Sequence, residues 1–552
     1  MHIHEQLSKI FKGELATDDE TLVTYSHDAS LFEMKPEIVG FPKDIEDLKN
    51  TVKFVNKHRA KNPSLSITPR SRGTCMSGGA INNSIILDVS KHMTKLKKVS
   101  SKSATVQPGM MYKDFEVETL KHGALMPSYP ASRDLASVGG MMSNNSGGEK
   151  SLEYGKTDNF VTELTMVLSD GNEYVVKPLT KPELVRKMSQ GDFEGNLYKK
   201  TFELLEKNYD EIQSAKPEVS KDSTGYHLWD VWNRETGIFD LTKLFVGAQG
   251  TLGLIGEGTM RLVRHKPKSG ILVLFLKDID DLGDLIPTVL KHKPATFESF
   301  DDQTLLLSIK FMPSFLKILG PARFMRLIIG LIPDGLQLLR GIPKLILMVE
   351  FTGETDEEVL GKIKKLHKEL HKKRAKYLIN GFEINETEGK SEKFWVMRRY
   401  SFQLLRSKVK DKHTAPFIDD FIVPPKNLAE FLPKLRKIIK KYKLFATIAG
   451  HMGDGNFHVI PLMKIEDPKE RAKLEPCMKE VNDLVIGYGG SVSGEHNDGL
   501  VRRPWLKEMY GEEVLGYMKD IKKLYDPDNI FNPHKKTDAT WDFSFSHIRK
   551  EF

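Results

Sequence analysis

Two histidines flank a turn-forming sequence in the C-terminal half of the chain. His451 and His458 stand seven positions apart, residues 453–456 between them read Gly-Asp-Gly-Asn, and the pair Glu495-His496 follows. On one continuous strand this spacing would place the two rings on opposite faces, and the glycines disfavour a helix. A tight turn that folds the strand back removes the difficulty. It predicts that the two rings lie across from one another.

These residue types suit a catalytic metal site. Two imidazoles and one carboxylate, from His451, His458 and Glu495, supply three ligands and leave coordination positions open, as catalysis requires. Zinc, manganese, iron and cobalt all accept such ligands. His496 would stand beside the metal as the natural general base. The set suits alcohol oxidation, in which the metal holds the hydroxyl, the base removes its proton and hydride leaves the carbon.

A hydride needs an acceptor, and three glycine-rich segments point to one. They occupy residues 70–79, 131–148 and 247–256, and none is a nicotinamide fingerprint or a Walker loop. The composition of 131–148 predicts neither a helix nor a strand. It suits a backbone that lies against a large polar ligand. The three segments together could line one long dinucleotide.

Composition sets the broad class. The 552 residues predict two or three domains, and 39% hydrophobic with 29% charged residues are typical of a globular protein. A net charge of +8 is a mild bias that does not indicate nucleic acid. Cys75 and Cys477 are too far apart for an iron–sulfur or thiolate zinc motif and favour a reducing compartment. With no signal peptide and no long apolar run, we expect a cytoplasmic protein without a membrane-spanning helix.

The periodicity of apolar residues predicts where the elements lie. Strands and helices alternate up to about residue 267, and the apolar run 271–276 opens a second α+β region. A helix capped by Asp44 is expected near the N-terminus. Paired strands are expected over 445–451 and 457–462, on either side of the histidine turn.

Residues 311–344 form an unusual insert in this second region. Large apolar side chains dominate it, and its charges are Lys317, Arg323, Arg326, Arg340 and Lys344 against Asp334 alone. Arginines among Phe, Leu and Ile suit a helix that lies in a membrane interface. A helical hairpin packed on its own domain is the alternative, and the sequence leaves both open.

The chain resembles the FAD-linked oxidase family, with a flavin domain of the vanillyl-alcohol oxidase and p-cresol methylhydroxylase type. Within this family it is most similar to the D-2-hydroxyacid dehydrogenases that act on D-lactate, glycolate or D-2-hydroxyglutarate. The matching motifs run in the family's order over nearly the whole chain: 69–74, 107–109, 136–140, 144–148, 154–155, 246–255, 451–458, 494–496 and 526–533.

The resemblance implies an α+β fold. A two-subdomain FAD-binding domain of the p-cresol methylhydroxylase type would be joined to an α+β substrate cap domain with a ferredoxin-like sheet and a helical insert. The implied parts are a lead-in over 1–35, the FAD domain over 36–267, the cap over 268–520 and a C-terminal segment over 521–552 that returns to the FAD domain.

The resemblance also implies the cofactors and their residues. FAD would be non-covalent, since Thr74 stands where covalent members carry histidine, and a divalent metal (zinc, manganese or iron) would be bound. His451, His458 and Glu495 would be its ligands, His496 the base and Arg398 the residue that binds the substrate carboxylate. The residues implied to bind FAD are Arg70, Ser71, Arg72, Gly73, Thr74, Cys75, Met76, Ser77, Ser132, Gly139, Gly140, Ser143, Asn144, Gly148, Tyr154, Gly155 and Ile255.

The implied activity is oxidation of a D-2-hydroxyacid, with D-lactate preferred, to a 2-oxoacid by hydride transfer to flavin N5. Electrons would pass to a quinone, an electron-transfer flavoprotein or an iron–sulfur subunit, and the insert could contact the inner face of a membrane. Ile418 stands near a position where some relatives carry a carboxylate-binding lysine, which disfavours a dicarboxylate. Asn497 stands where a related subgroup has glycine.

Three other functions remain open from the sequence. The chain could be a D-2-hydroxyglutarate or glycolate dehydrogenase. It could be a non-redox flavoenzyme similar to the alkylglycerone-phosphate synthases. It could also be a binding subunit that has kept the fold, although the set of three histidines and Glu495 argues against this.

Overall fold

The computed structural model describes residues 3–279, 282–338, 341–408 and 412–550. Arg340, one of the charges used to predict the insert, lies outside these ranges, and no side-chain position is described for Asp334.

Two main sheets form the N-terminal half. A mixed sheet has the strand order Glu14–Ala16, Ile38–Phe41, Ile85–Asp88, Ile67–Arg70, in which the last three strands are parallel. An antiparallel sheet has the order Leu96–Val99, Ser103–Val106, Leu254–Arg261, Val161–Val167, Glu173–Val176. Short strands at Ala124–Leu125, Val263–Arg264, Leu179–Thr180, Trp232–Asn233 and Ile238–Phe239 complete this half.

Helices surround these sheets. They are Ile3–Leu7, Asp19–Tyr25, Ile45–Arg59, Tyr112–Leu120, Val138–Asn144, Ser151–Tyr154, Lys181–Met188, Phe193–Lys207, Tyr209–Ser214 and Thr242–Phe245. The Asp44 carboxylate accepts the backbone N–H groups of Glu46 and Asp47, which confirms the predicted cap of the helix that follows.

One glycine-rich segment departs from the prediction. We expected neither helix nor strand within 131–148, but Val138–Asn144 is a helix. The Ser137 hydroxyl accepts the N–H of Gly140 at its start, and Asn145 ends it with a positive φ of 50°. Glycine is needed at position 139 because a Cβ atom there would lie 2.4 Å from Cβ of Pro108. Capping and close packing therefore outweigh the poor helix propensity of the segment.

An eight-stranded antiparallel sheet organises the C-terminal half. Seven strands follow the order Ile379–Asn385, Lys268–Leu276, Leu345–Gly353, Thr296–Asp301, Phe445–His451, Asn456–Met463, His413–Thr414, and Phe421–Ile422 also pairs with Asn456–Met463. The strands Phe445–His451 and Asn456–Met463 are joined by a short turn, as predicted, and are called the histidine hairpin below.

Helices cover both faces of this sheet. They are Leu282–Leu290, Asp302–Lys310, Met312–Leu338, Asp356–Lys372, Glu388–Lys408, Leu428–Lys441, Pro468–Arg471, Leu474–Gly487 and Trp541–Ser546, whereas Leu506–Tyr525 packs against the N-terminal half. Met312–Leu338 is interrupted at Gly320, and Leu506–Tyr525 at Gly511.

The end of the chain returns to the N-terminal half. Ile530 and Phe531 are buried in the core of the mixed sheet, and helix Leu506–Tyr525 packs on the core of the antiparallel sheet. The side chain of Asn532 donates to the carbonyls of Gly79 and Gln249, both at 2.8 Å. Distant parts of the sequence are thereby held around the glycine-rich segments.

The insert consists of two helical parts that meet at Gly320, whose φ of +74° is not helical. Phe315, Leu319 and Leu327 form a small apolar cluster with Val396 of helix Glu388–Lys408, so one face packs on the C-terminal half. Other large apolar side chains of the insert are exposed. Within the described residues, no helix is long and apolar enough to cross a bilayer.

The turn of the histidine hairpin requires glycine at position 455. Gly455 has a φ of +77°, and a Cβ atom there would lie 2.0 Å from the carbonyl oxygen of Val423. We predict that Gly455→Ala lowers the free energy of unfolding by at least about 1 kcal/mol, measured by denaturant unfolding. Gly361→Ala is the control, because no atom lies within 4 Å of its Cβ position in the helix. Equal stability of the two variants would contradict the steric account.

Candidate active site

The two histidines lie on the same face of the histidine hairpin. His458 pairs with Ala449 and His451 pairs with Asn456, so the rings are diagonal neighbours and not directly across from each other as predicted. The turn closes at Asn456, so His458 lies opposite Ala449, two positions before His451. The ring centroids are 5.5 Å apart. The turn therefore brings the rings together, with a register that the spacing did not predict.

Glu495 faces both rings from a separate loop. One of its carboxylate oxygens lies 3.1 Å from Nε2 of His451, and the other lies 3.9 Å from Nε2 of His458. All three side chains are buried or nearly so. The structure thus places the three predicted metal ligands in one cluster.

A second carboxylate orients each histidine. Glu298 Oε1 lies 2.6 Å from Nδ1 of His451, and Asp419 Oδ1 lies 3.1 Å from Nδ1 of His458. With the proton on Nδ1, each ring would offer its Nε2 lone pair to a metal shared with Glu495, as in many metal-binding histidines. The donor chemistry fits a divalent metal, which His451, His458 and Glu495 would hold.

Asp420 belongs to another grouping of possible ligands. Donor atoms of Asp420, His458, Glu495 and His496 all lie within 4.8 Å of one another. However, Asp420 accepts the backbone N–H groups of Glu495 and His496, at 2.9 and 2.6 Å, and the hydroxyl of Ser493 at 2.7 Å. These bonds use the carboxylate to anchor the loop. We therefore favour His451 over Asp420 as the third ligand.

His496 shares a carboxylate with His458. Its Nδ1 lies 2.9 Å from Asp419 Oδ2, and its ring stacks on that of His458 at a centroid distance of 5.1 Å. Burial disfavours the charged ring, but Asp420 and Asp419 together raise the pKa of His496 to about 9. Asp419 thus links a metal-ligand candidate to the candidate base.

A buried lysine that no sequence motif indicated completes the cluster. Lys221 Nζ lies 2.7 Å from Glu495 Oε1, 3.2 Å from Asp454 Oδ2 and 3.3 Å from the carbonyl of Gly148. Burial disfavours its charge, but Asp454 and Glu495 raise the pKa of Lys221. A lysine in the loop before the Gly225-Tyr226 pair carries no spacing signal that would connect it to residues so far along the chain.

Arg398 reaches the cluster through Glu298. The guanidinium of Arg398 forms an ion pair with Glu298 Oε2, while Glu298 Oε1 holds His451. The next residue, Arg399, pairs with the buried Glu149 of the N-terminal half. Glu298 and Glu149 were missed by the sequence analysis because each is a lone carboxylate without a motif. Their partners show that helix Glu388–Lys408 is fixed on both sides.

The glycine-rich segments converge next to this cluster. Ser71 contacts the hydroxyl of Ser137, and the hydroxyl of Ser77 donates to the carbonyl of His496 at 3.1 Å. The side chain of Gln249 lies 3.3 Å from Asn144 and 3.4 Å from Ser77. All three segments therefore meet on the side of the loop that carries Glu495 and His496.

Asn497 explains one departure from the family pattern. Its φ is +68°, a conformation in which glycine is favoured and asparagine is tolerated. Its side-chain amide donates to the carbonyls of Asn144 and Gly247, at 3.1 and 2.8 Å. Asparagine thus keeps the left-handed turn and adds two bonds to the glycine-rich segments.

The predicted FAD-binding residues differ in exposure. Most are half-buried: Ser71, Gly73, Thr74, Cys75, Met76, Gly140, Ser143, Asn144, Tyr154, Gly155 and Ile255. Arg72 and Ser132 are exposed, whereas Ser77, Gly139 and Gly148 are buried. Partly exposed glycines and hydroxyls that converge from distant segments fit a long polar cofactor such as FAD.

The side chain of Arg70 contacts the N-terminal segment. Its guanidinium donates to the carbonyls of Tyr25 and His27, at 3.3 and 2.9 Å, and lies over the ring of Tyr25. We ascribe to this side chain the anchoring of the N-terminal segment.

Lys221 compensates the charge of two buried carboxylates, and its removal would take the positive charge away from both. We predict that Lys221→Met lowers the free energy of unfolding by about 3–5 kcal/mol, measured by denaturant unfolding. Lys216→Met is the matched control: its partner is Asp230, and because Lys216 is half-exposed, its loss should cost under about 1 kcal/mol. If Lys221→Met lowers the free energy of unfolding no more than Lys216→Met does, the buried ion pairs contribute nothing to stability.

Two family models match the chain. The model of the FAD binding domain matches residues 36–177, and the model of the C-terminal domain of FAD linked oxidases matches residues 266–536. Together they contain both the glycine-rich segments 70–79 and 131–148 and the histidine cluster.

Curated relatives cover nearly all of this chain. A D-2-hydroxyglutarate dehydrogenase of Pseudomonas putida is 27% identical over 95% of this chain and 50% of its own length. A glycolate oxidase subunit GlcD of Bacillus subtilis is 26% identical over 97% and 96% of the two chains, and a D-lactate dehydrogenase of Anaerostipes hadrus is 23% identical over 96% of each. The chain spans about half the length of the first four relatives, all named D-2-hydroxyglutarate dehydrogenase.

Solved structures share the fold. An alkyldihydroxyacetonephosphate synthase superposes with a TM-score of 0.66 at 16% identity, over 97% of this chain and 85% of the other. A p-cresol methylhydroxylase superposes with a TM-score of 0.65 at 15% identity, over 98% and 96%. These similarities confirm the predicted α+β fold of the p-cresol methylhydroxylase type. The motifs, the two matched domains and this shared fold agree that the chain belongs to the FAD-linked oxidase family.

Proposed function

We propose that the chain is an FAD- and divalent-metal-dependent dehydrogenase of D-2-hydroxyacids, with D-lactate as its preferred substrate. The observation that carries the proposal is the cluster in which Glu495 faces Nε2 of both His451 and His458 while Asp419 joins His458 to His496. Relatives named D-2-hydroxyglutarate dehydrogenase, glycolate oxidase subunit and D-lactate dehydrogenase support the substrate class.

His496 is the residue that we propose to take the hydroxyl proton. Because Asp419 holds Nδ1 of this ring, Nε2 would be the accepting atom. A base must be neutral, yet two carboxylates raise the pKa of His496 to about 9. The positive charge of a metal at the neighbouring ligands would oppose that shift. Base and metal would therefore depend on each other.

The cofactors would supply the chemistry that side chains lack. When bound, the metal would polarise the substrate hydroxyl and FAD would accept the hydride at N5. We propose that the part of the chain over 36–267 binds FAD and that the part over 268–520 supplies the metal ligands, the base and Arg398. The matches of the two family models, over 36–177 and 266–536, support this division. Lys221 and Asn497 hold the glycine-rich segments against the loop of Glu495.

Arg398 is proposed to bind the substrate carboxylate. It is buried beside the cluster, and its partner Glu298 also holds His451. Glu298 therefore positions both Arg398, which would bind the substrate carboxylate, and His451, a ligand of the metal that would hold the substrate hydroxyl. Such shared support would fix the orientation of the α-carbon between the two groups.

We propose a short substrate rather than a dicarboxylate. Ile418, near the position of the lysine in some relatives, is buried in the main apolar core of the C-terminal half. Its neighbour Phe417 lies in the same core. An apolar core residue offers no charge to a second carboxylate, which supports D-lactate over D-2-hydroxyglutarate.

The electrons must leave the flavin for an external acceptor. We propose a quinone, an electron-transfer flavoprotein or an iron–sulfur subunit for this step. We also propose that the enzyme works in the cytoplasm and attaches to the inner face of the membrane. The exposed apolar and basic surface of the insert supports this attachment.

Flavin reduction under anaerobic conditions tests the proposal. We predict that D-lactate bleaches the flavin absorbance of the purified protein and that L-lactate does not. Treatment with a chelator should abolish the reduction, and added zinc or manganese should restore it. Reduction that survives complete removal of metal would refute the metal ligands. Equal reduction by both enantiomers would refute the proposed substrate geometry.

Glu298 should act through the metal ligand that it orients. We predict that Glu298→Gln weakens metal binding by roughly 10- to 100-fold, because the charge that holds Nδ1 of His451 is lost. Titration of metal into chelator-treated protein measures this affinity. Glu369→Gln, which removes a surface partner of His292 and Lys373, is the control and should leave the affinity unchanged. An unchanged affinity in Glu298→Gln would show that Glu298 serves only Arg398.

A further inference from the structure

The helices Asp302–Lys310 and Met312–Leu338 carry a surface that the proposed chemistry does not use. We define the insert surface as the exposed apolar residues Leu306, Ile309, Leu316, Met325 and Ile329 together with the exposed basic residues Lys310, Lys317, Arg323 and Arg326. Helix Glu388–Lys408, which carries Arg398, packs against both of these helices. The insert surface is therefore separate from the candidate active site.

The apolar side chains of this surface are unusually exposed. Met325 and Ile329 are 55% and 60% exposed, and their spacing of four residues places them on one helix face. The spacing of three residues between Leu306 and Ile309 does the same on the preceding helix. The opposite face of the insert is already buried, with Phe315 and Leu327 in its cluster. A helix that is apolar on both faces buries one face in the protein and leaves the other for an apolar partner.

The charge of this surface has one sign. Residues 303–333 contain Lys310, Lys317, Arg323 and Arg326 but no Asp or Glu. Arg323 pairs with Glu392 of the neighbouring helix. Across the described part of the chain, Lys310, Lys317 and Arg326 have no carboxylate within ion-pair distance. The partner of this surface should therefore be apolar and negatively charged.

We propose that the insert surface rests on a phospholipid bilayer that contains anionic lipids. The helices would lie in the plane of the interface, with Met325, Ile329 and their neighbours in the boundary of the acyl chains. The four basic side chains would lie at the level of the phosphates. A protein partner would need acidic groups around an apolar centre, whereas an anionic bilayer supplies both properties over its whole area. This docking rests on the membrane attachment proposed above and assigns its lipid chemistry, but it is the same whichever substrate the enzyme oxidises.

Co-sedimentation with vesicles tests this docking. The full chain, loaded with FAD, is mixed with vesicles of phosphatidylcholine alone or of phosphatidylcholine with one third phosphatidylglycerol. We expect binding to the anionic vesicles, weaker binding to the neutral ones and release at high salt. Absence of binding to anionic vesicles overturns the proposal.

Two variants separate docking from a general loss of structure. Met325→Glu combined with Ile329→Glu should lower binding to anionic vesicles roughly tenfold or more, because two apolar side chains no longer enter the interface. Lys317→Gln combined with Arg326→Gln should lower it by about fivefold for each charge removed. Flavin content should stay unchanged in both variants. Binding that is unaffected by either pair overturns the proposal.

A matched control uses apolar residues that are equally exposed elsewhere. Val117 and Val185 are 56% and 55% exposed on helices of the N-terminal half, and their combined change to Glu should leave vesicle binding unchanged. An equal loss of binding in this control would overturn the assignment to the insert surface. Sedimentation without vesicles tests whether a second copy of the chain covers the insert surface. In that case the parent protein would self-associate without binding vesicles, and Met325→Glu with Ile329→Glu would abolish the self-association. That result would assign the surface to a second copy of the chain instead.

Discussion

Two adjacent buried aspartates hold the candidate active site together. Asp419 reaches the Nδ1 atoms of His458 and His496, while Asp420 accepts the backbone N–H groups of Glu495 and His496. Consecutive side chains can serve these different directions because Asp420 has a φ of +67°. Both carboxylates are buried and are compensated by imidazoles and backbone dipoles. Such bonds are stronger at low dielectric than in water. The Asp419-Asp420 pair therefore positions the candidate ligand His458, the candidate base His496 and the loop that carries Glu495.

The second constraint joins the two halves of the chain. Lys221 places a positive charge between Glu495 and Asp454, and Arg399 reaches Glu149 from the helix that carries Arg398. Both contacts cross from the N-terminal half to the C-terminal half and are largely or completely buried. Loss of one partner from such a pair is costly because the other charge remains buried. The relative position of the glycine-rich segments and the histidine cluster is thus fixed by charge as well as by packing.

Sequence patterns predicted the cluster of histidines and Glu495 better than the carboxylates that support it. The histidines and Glu495 were found because their types and spacing carry meaning, and the hairpin followed from the glycines between the rings. The register did not follow, because the exact closure of the turn depends on Asn456. Neither the lone Glu298 nor the adjacent Asp419 and Asp420 belong to a motif, and their roles arise only when segments distant in sequence come together. The helix Val138–Asn144 was missed because its cap and its contact with Pro108 outweigh its composition.

We propose that this cluster removes a proton from a D-2-hydroxyacid as hydride leaves its α-carbon for the flavin. The most direct measurement is the rate of flavin reduction in a single turnover with D-lactate that carries protium or deuterium at C2, in the parent protein and in His496→Asn. The account predicts slower reduction with deuterium, and a loss of roughly 10²- to 10⁴-fold in the variant with FAD still bound. Reduction of the parent protein at equal rates with both isotopes, together with an unimpaired His496→Asn, would contradict it.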